Sequence, residues 1–367
     1  MRFKAKTSEI KKLFDNALEF SAKKSGMSIT GNFLLNADGD QLEVKATDIS
    51  KGFTSRITVE VSEPGTVAAS SEKLKDIMKA VKGYDELDFF TKDNKLSIKN
   101  SGTRKFQMNM KTMPAENFPV MEKDDNVEYF LFPQSDFLAM IDKTVTMVSK
   151  DTSRIFLTGC CLTKEGDKLV MVATDGKRLS KICRAADSTP DFNNSIIPVG
   201  FLNSIKNIAP GEGLMQIGIT ETKMFVKIDE TSIYTTLLTG RFPAYNRVIP
   251  ASFRLSAEID TKDMKTSLDI IENATSTEES RKAAFEFDDG RCTFSSITDE
   301  YDGSYELSVE YEGEPFKIIV SDKLLSSMIS KIPDEKFRME MNTAVSAVRF
   351  TWKSDPDAQF ILMPMNN

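Results

Sequence analysis

The sequence predicts an α+β protein made of three diverged tandem copies of one unit of about 125 residues. Three recurrences carry that prediction. A strand ending in Thr-Asp occurs at 43–48, 170–175 and 294–299, which puts Asp48, Asp175 and Asp299 127 and 124 residues apart. Phe118-Pro119 returns as Phe242-Pro243, 124 residues later, and the helix opening Ser8-Glu9-Ile10 returns as Ser135-Asp136-Phe137, 127 residues later. One such pair could be chance; three concordant offsets are not.

The order of elements is the same in each copy. A strand leads into an amphipathic helix, with Ile10, Leu13, Phe14 and Ala17 on one face in copy one. Copy two offers Phe137, Leu138, Ile141 and Val145, and copy three Met264, Leu268 and Ile271. Strands follow, alternating as in Leu42-Glu43-Val44-Lys45 and Met224-Phe225-Val226-Lys227-Ile228. A second helix opens at a capping serine or aspartate, Ser70 or Ser71 in copy one and Ser321 or Asp322 in copy three. In copy two Phe201, Leu202 and Ile205 hold the matching place. Asn36–Asp40 and Lys164–Asp167 read as hairpin turns. The expected helices cover 8–24, 70–82, 134–150, 199–209, 260–274 and 321–332, and the expected units are 1–126, 127–253 and 254–367.

Composition narrows the function. A hydrophobic share of 40% and a charged share of 28% are those of a soluble globular protein. No apolar stretch after the first residues makes a signal peptide, and runs such as Leu169–Ala173 are too short to span a bilayer, so the expected location is cytoplasmic, with no membrane partner. The chain has no histidine, which removes the commonest general base and metal ligand and lowers the expectation of an enzyme, although carboxylate or lysine chemistry remains open. Cys160, Cys161, Cys183 and Cys292 lack zinc-site spacing and read as reduced thiols; no metal and no cofactor is expected. A formal charge of −7 argues against a chain that grips nucleic acid over its whole surface, but not against a local basic face. Over the expected helices, basic residues outnumber acidic ones 15 to 12, so the helices are net +3 and the rest of the chain −10. Copy one supplies most of that excess, at Lys11, Lys12, Lys23, Lys24, Lys73, Lys75, Lys79 and Lys82, while the first helix of copy three is acidic at Asp260, Asp263, Asp269 and Glu272.

No stretch makes a catalytic site. Gly211–Gly218 lacks the spacing of a dinucleotide loop and reads as a helix-to-strand turn. Thr174-Asp175-Gly176-Lys177-Arg178 lacks the upstream glycines of a phosphate loop and reads as a tight turn. Glu278-Glu279 and Asp288-Asp289 read as solvated loops. The C-terminus is apolar almost to its end, Phe360 to Met365, so it is docked as a last strand, lines a partner site, or does both. Phe106, Met108 and Met110 alternate with polar residues, an apolar strand face that calls for a covering chain.

Read together, Ala173–Leu179, Gly240–Val248 and Met363-Pro364-Met365, with Gly31-Asn32 and Met113–Pro119, resemble the bacterial DNA polymerase sliding clamp family, the beta subunit of the replicative polymerase. The resemblance covers the whole chain. It implies a head-to-tail homodimer closing into a ring of six similar domains, with helices lining a hole through which double-stranded DNA threads. It implies DNA-facing positions at Lys24, Lys150 and Arg154. It also implies a hydrophobic peptide-binding pocket at Leu157, Thr174, Gly176, Arg178, Leu179, Pro243, Arg247, Val248, Val345, Leu362, Met363, Pro364 and Met365. The partners implied are the replicative DNA polymerase, an ATP-dependent clamp loader and repair proteins carrying clamp-binding motifs. The dimer interface is expected at Phe106, Met108 and Met110 of one copy against Ile270, Ile271 and Ala274 of the other. The chain departs from the family pattern at Val320, Lys323, Ser280 and the Asn366-Asn367 tail, which bears on ligand preference. Two other classes remain open on residues alone: an enzyme using carboxylates or lysines in an inter-domain cleft, and a scaffold of three binding modules.

Overall fold

The structure, a computed structural model, describes residues 1–23, 29–100, 105–186, 189–192, 194–275, 282–288, 290–297, 302–311 and 313–366. Its helices are α1 (Thr7–Leu18), α2 (Ser71–Ala80), α3 (Gln134–Thr144), α4 (Val199–Ile208), α5 (Thr261–Thr275) and α6 (Asp322–Ile329). Each begins where a strand ends, and α1 packs on α2 as α5 packs on α6. Ser70 and Ser321 are the caps, their hydroxyls accepting from the backbone N–H of Lys73 and Leu324. Ile10, Leu13, Phe14 and Ala17 are all buried, as the helical period requires.

Two helices stop short of their expected ends, for local reasons. After Leu18 the chain tightens and drives Phe20 into the core, where its ring lies 5.5 Å from Phe53. At the end of α3 the hydroxyl of Thr144 donates to the carbonyl of Met140 (2.7 Å). The run Thr144-Val145-Thr146 is β-branched, and the helix gives way to a 3-10 turn, Val145–Met147.

The backbone forms two compact units, Met1–Ser135 with Gly200–Leu237, and Asp136–Val199 with Leu238–Asn367. The first contains a 13-stranded antiparallel sheet and the second a 12-stranded one. Residues 127–253 are thus shared between the units. In the first, Thr231–Thr236 pairs with Lys51–Thr58, from Thr231 opposite Ser55 to Thr235 opposite Lys51. In the second, Ala358–Leu362 pairs with Arg178–Ala185, from Ala358 opposite Ile182 to Leu362 opposite Arg178. Adding 127 to each residue of the first pairing yields the second. One register rule joins consecutive repeats.

The Thr-Asp marker is explained by the turn it builds. Thr47 donates to the carbonyl of Lys51 and accepts from the N–H of Ile49, while the Asp48 carboxylate accepts from Ser50 and Lys51 N–H. Thr174 and Asp175 repeat the pattern with Arg178, Gly176 and Lys177. The residue after the aspartate takes a left-handed conformation, Ile49 at φ 80° and Gly176 at φ 91°; glycine meets it without a side-chain clash. The third copy, Thr298-Asp299, lies outside the described residues, as do Lys24, Ser280 and Asn367.

The two junctions differ in what they bury. Lys168–Thr174 is buried on both faces, with Val170 and Val172 in a cluster that includes Cys161, Leu179, Phe242, Tyr245 and Ile361. At the matching positions of the first repeat stand Glu43 and Lys45, which line an open groove of about 730 Å³. Leu179 is matched by Gly52 and Ile361 by Tyr234: a Cβ on Gly52 would overlap the Tyr234 ring and lie 2.7 Å from Met121. Small and large have exchanged sides of one junction. Gly52→Ala should therefore lower stability by about 1–3 kcal/mol through overpacking, read as a lower urea midpoint. An unchanged midpoint would mean that the ring is not held there.

Candidate functional site

An apolar cavity of about 370 Å³ opens in the second unit, and four segments build it. The 3-10 stretch Thr152–Leu157, capped by Asp151 accepting from Ser153 N–H (3.0 Å), supplies Arg154, Phe156 and Leu157. The Thr-Asp turn and the strand after it supply Thr174, Gly176, Lys177, Arg178 and Leu179. The segment around the 3-10 turn Tyr245–Val248 supplies Pro243, Ala244, Tyr245 and Val248. Ile361 and Met363 come from the C-terminal strand and tail.

The tail is docked and also lines the cavity. Met363 donates its N–H to the carbonyl of Lys177 (2.9 Å), and Met365 to the carbonyl of Ile319 (2.8 Å). Lys282 holds the carbonyl of Asn366 (3.0 Å). Arg178 is a strut: Nε donates to Asp175 (3.0 Å), Nη2 to the carbonyl of Thr146 (2.7 Å) and Nη1 to the hydroxyl of Ser327. A guanidinium so engaged shapes the rim and holds three elements in place.

Among the residues expected for the pocket, Leu157, Thr174, Gly176, Arg178, Leu179, Pro243, Val248 and Met363 converge on this cavity. Arg247, Val345, Leu362, Pro364 and Met365 are not among its lining residues. Val345 is 73% exposed, and Arg247 is exposed. Leu362 is fully buried on the other face of its strand, because side chains alternate there and Ile361 takes the cavity side. That alternation was the signal for Ile361. Tyr245 was missed because the motif Gly240–Val248 does not mark which aromatic turns inward, and Phe156 because it lies in no motif.

Arg154, expected to face DNA, stands in the cavity wall with Nε 3.3 Å from Asp151. Lys150 is exposed. Met110 is buried at 5% exposure whereas Met108 is 49% exposed, so the alternating trio is not one open face. Met108 sits opposite Ile98 and Met110 opposite Leu96, on the core side of the sheet, and the core runs out at Met108. Phe106 is half-buried with its ring 5.0 Å from that of Tyr84. Ile270 is 52% exposed and Ile271 is buried; the side chain of Ala274 lies outside the described residues. Val320 is buried in a strand and Lys323 is exposed on the first turn of α6.

A larger groove of about 930 Å³ in the same unit is lined mainly by charged residues, among them Lys336 paired with Glu258 and Arg349 with Glu340. Its lining is as polar as it is apolar, whereas the smaller cavity is mostly apolar with few polar groups, so the smaller cavity is the better site. Burial pushes the thiols of Cys160 and Cys161 up to about 12, which keeps them protonated.

Sequence models of the DNA polymerase III beta subunit match the chain in three consecutive segments: its N-terminal domain at residues 1–122, its central domain at 132–244 and its C-terminal domain at 246–366. The chain belongs to the DNA polymerase III beta subunit family. Its work is therefore that of a DNA sliding clamp. The beta sliding clamp of Treponema pallidum is 26% identical over 360 residues, covering 96% of each chain, and that of Caulobacter vibrioides is 26% identical over 358 residues, covering 94% of each. Among solved structures, the beta subunit of Borrelia burgdorferi superimposes with a TM-score of 0.92 at 20% identity, covering 100% of this chain and 99% of that one. That of Pseudomonas aeruginosa superimposes at 0.90 with 23% identity over the full length of both. At such identities the superpositions speak for the fold.

Proposed function

We propose that this chain works as a head-to-tail homodimer that encircles duplex DNA and tethers the replicative polymerase through the apolar cavity. Its three tandem units are bounded near residues 126 and 253. It performs no catalysis itself, works in the cytoplasm, and relies on an ATP-dependent loader; repair proteins with clamp-binding motifs share the cavity.

The observation that carries this reading is the register rule at the junctions. Gln107–Met113 stands 124 residues before Thr231–Thr236, and Asp302–Tyr311 follows Arg178–Ala185 by the same number. These are the two strand types that join repeats. Yet Gln107–Lys111 pairs on one side only, with Lys95–Lys99, since its contact with Gly65–Ser70 is confined to Thr112 and Met113. Asp302–Ser308 pairs only with Arg291–Ile297. Among the described residues, both edges are open, and each fits the other on a second copy. Met108, at the uncovered end of the core, would be sealed by the same contact. Met108→Asp should convert dimers to monomers in light scattering, and dimers that persist would refute this interface.

A closed ring needs no tight grip. Lys12, Lys73, Lys79 and Lys82 are exposed on and just beyond α1 and α2, and such lysines centre a duplex by weak, salt-screened attraction to phosphate.

The cavity suits one or two apolar side chains of a flexible motif, which would supply most of the binding energy. Methionine at its edge repacks around different ligands. Met363→Ala should cost about 2 kcal/mol, roughly a 30-fold loss of affinity, for a labelled peptide with a Leu-Phe anchor, measured by fluorescence anisotropy. Dimer mass and melting should hold. Unchanged affinity would mean that these residues only seal the seam between repeats.

A further inference from the structure

We propose that Glu165 is a positioning residue for the cavity, locking the turn Tyr245–Val248 from outside so that its apolar wall is preformed. The inference rests on reading that cavity as the peptide site.

Glu165 ends the strand Gly159–Glu165, at the hairpin tip, and is not a lining residue. Its carboxylate gathers groups from two other segments. The Tyr245 hydroxyl donates to Oε1 (2.5 Å), the Asn246 amide donates to the same oxygen (3.3 Å), and Lys181 Nζ donates to Oε2 (2.8 Å). Lys181 Nζ also donates to the side-chain Oδ1 of Asn246 (3.3 Å) and lies 5.4 Å from the centre of the Tyr245 ring. Tyr245 is only 7% exposed, so its phenol needs a partner, and its ring is part of the cavity wall beside Pro243 and Val248. Burial pushes the Glu165 carboxyl up, but the bonds from Lys181, Tyr245 and Asn246 outweigh it and hold the group ionised. Charge-assisted bonds of this kind are the stronger class, and the ionised acceptor fixes a turn that has little regular backbone pairing of its own.

The first repeat serves as an internal control. Counted back by the repeat offsets, Glu165 corresponds to Asp38 and Tyr245 to Met121. Asp38 is exposed and caps its own hairpin through Gly39 N–H (3.0 Å), and Met121 has no hydroxyl to offer. Both halves of the brace are missing where Glu43 and Lys45 replace the apolar floor. The brace occurs at the junction that has the cavity. A surface ion pair without a role would have no reason to track it.

The test is peptide anisotropy on the full-length protein, using a labelled peptide with a Leu-Phe anchor. Glu165→Ala should weaken binding about tenfold, while Glu165→Gln, which keeps an acceptor for Tyr245, should retain most of it. Because Glu165 acts through the turn, it should cost little further in a Val248→Ala background, a non-additivity that general destabilisation would not produce. Hydrogen exchange should rise at 243–249 and stay unchanged in the remaining strands of that unit. Binding by Glu165→Ala within about twofold of wild type, or full additivity with Val248→Ala, overturns the proposal. Should Glu165→Ala fail to fold, Tyr245→Phe decides, since it removes only the hydroxyl, and unchanged binding there counts against the brace. Met363→Ala separates the two readings: if it too binds normally, the cavity is not the peptide site, whereas if it alone loses affinity, only the brace fails.

Discussion

The structure depends on one repeated contact, the pairing of the last strand of a repeat with the strand that follows the Thr-Asp turn of the repeat before it. At Thr231–Thr235 against Lys51–Ser55 and at Ala358–Leu362 against Arg178–Ile182 the register is the same. Strand pairing fixes register strictly wherever one face is buried, because a slip of one residue would turn the apolar face outward. A chain obeying this rule twice leaves one strand of each type unpaired, among the described residues, along part of its edge, Gln107–Lys111 and Asp302–Ser308. Such edges would invite aggregation unless a second copy met them. On the proposed reading, assembly follows from the way repeats are joined.

The same junction carries two different linings. Between the second and third repeats, valines at 170 and 172 and Leu179 create an apolar floor that extends to Met363, and the docked tail closes one side. Between the first and second, Glu43 and Lys45 replace the valines, and Tyr234 fills the space over Gly52. The backbone rule is unchanged; the side chains decide whether a junction is only a seam or also holds an apolar cavity.

Much of the fold was legible in the sequence, because its markers are physical devices. Thr174 and Asp175 recur because their side chains make the hydrogen bonds of a turn, and few other residues can. Ile10, Leu13, Phe14 and Ala17 were readable as a buried face from their spacing alone. The helix ends were not, since they depend on the Thr144 hydroxyl and on where Phe20 packs. The run Leu169–Ala173 signalled a strand, but its burial on both faces needed Phe242 and Tyr245 from 70 residues away. The cavity was legible in outline, through Leu179, Val248 and Met363. Its supports were hidden: Arg178 is braced by Thr146 and Ser327, and Tyr245 by Glu165, contacts between distant segments that no local pattern encodes.

Closure of the chain on a second copy, with duplex DNA inside, is the central claim, and topology tests it most directly. Protein loaded by an ATP-driven loader onto nicked circular duplex should stay bound through gel filtration at a salt concentration that abolishes binding to linear duplex, because enclosure needs no ionic attraction. Cutting the circle once with a restriction enzyme should then release it. Protein that remains on the linearised DNA at that salt would show gripping in place of encirclement and would contradict the account.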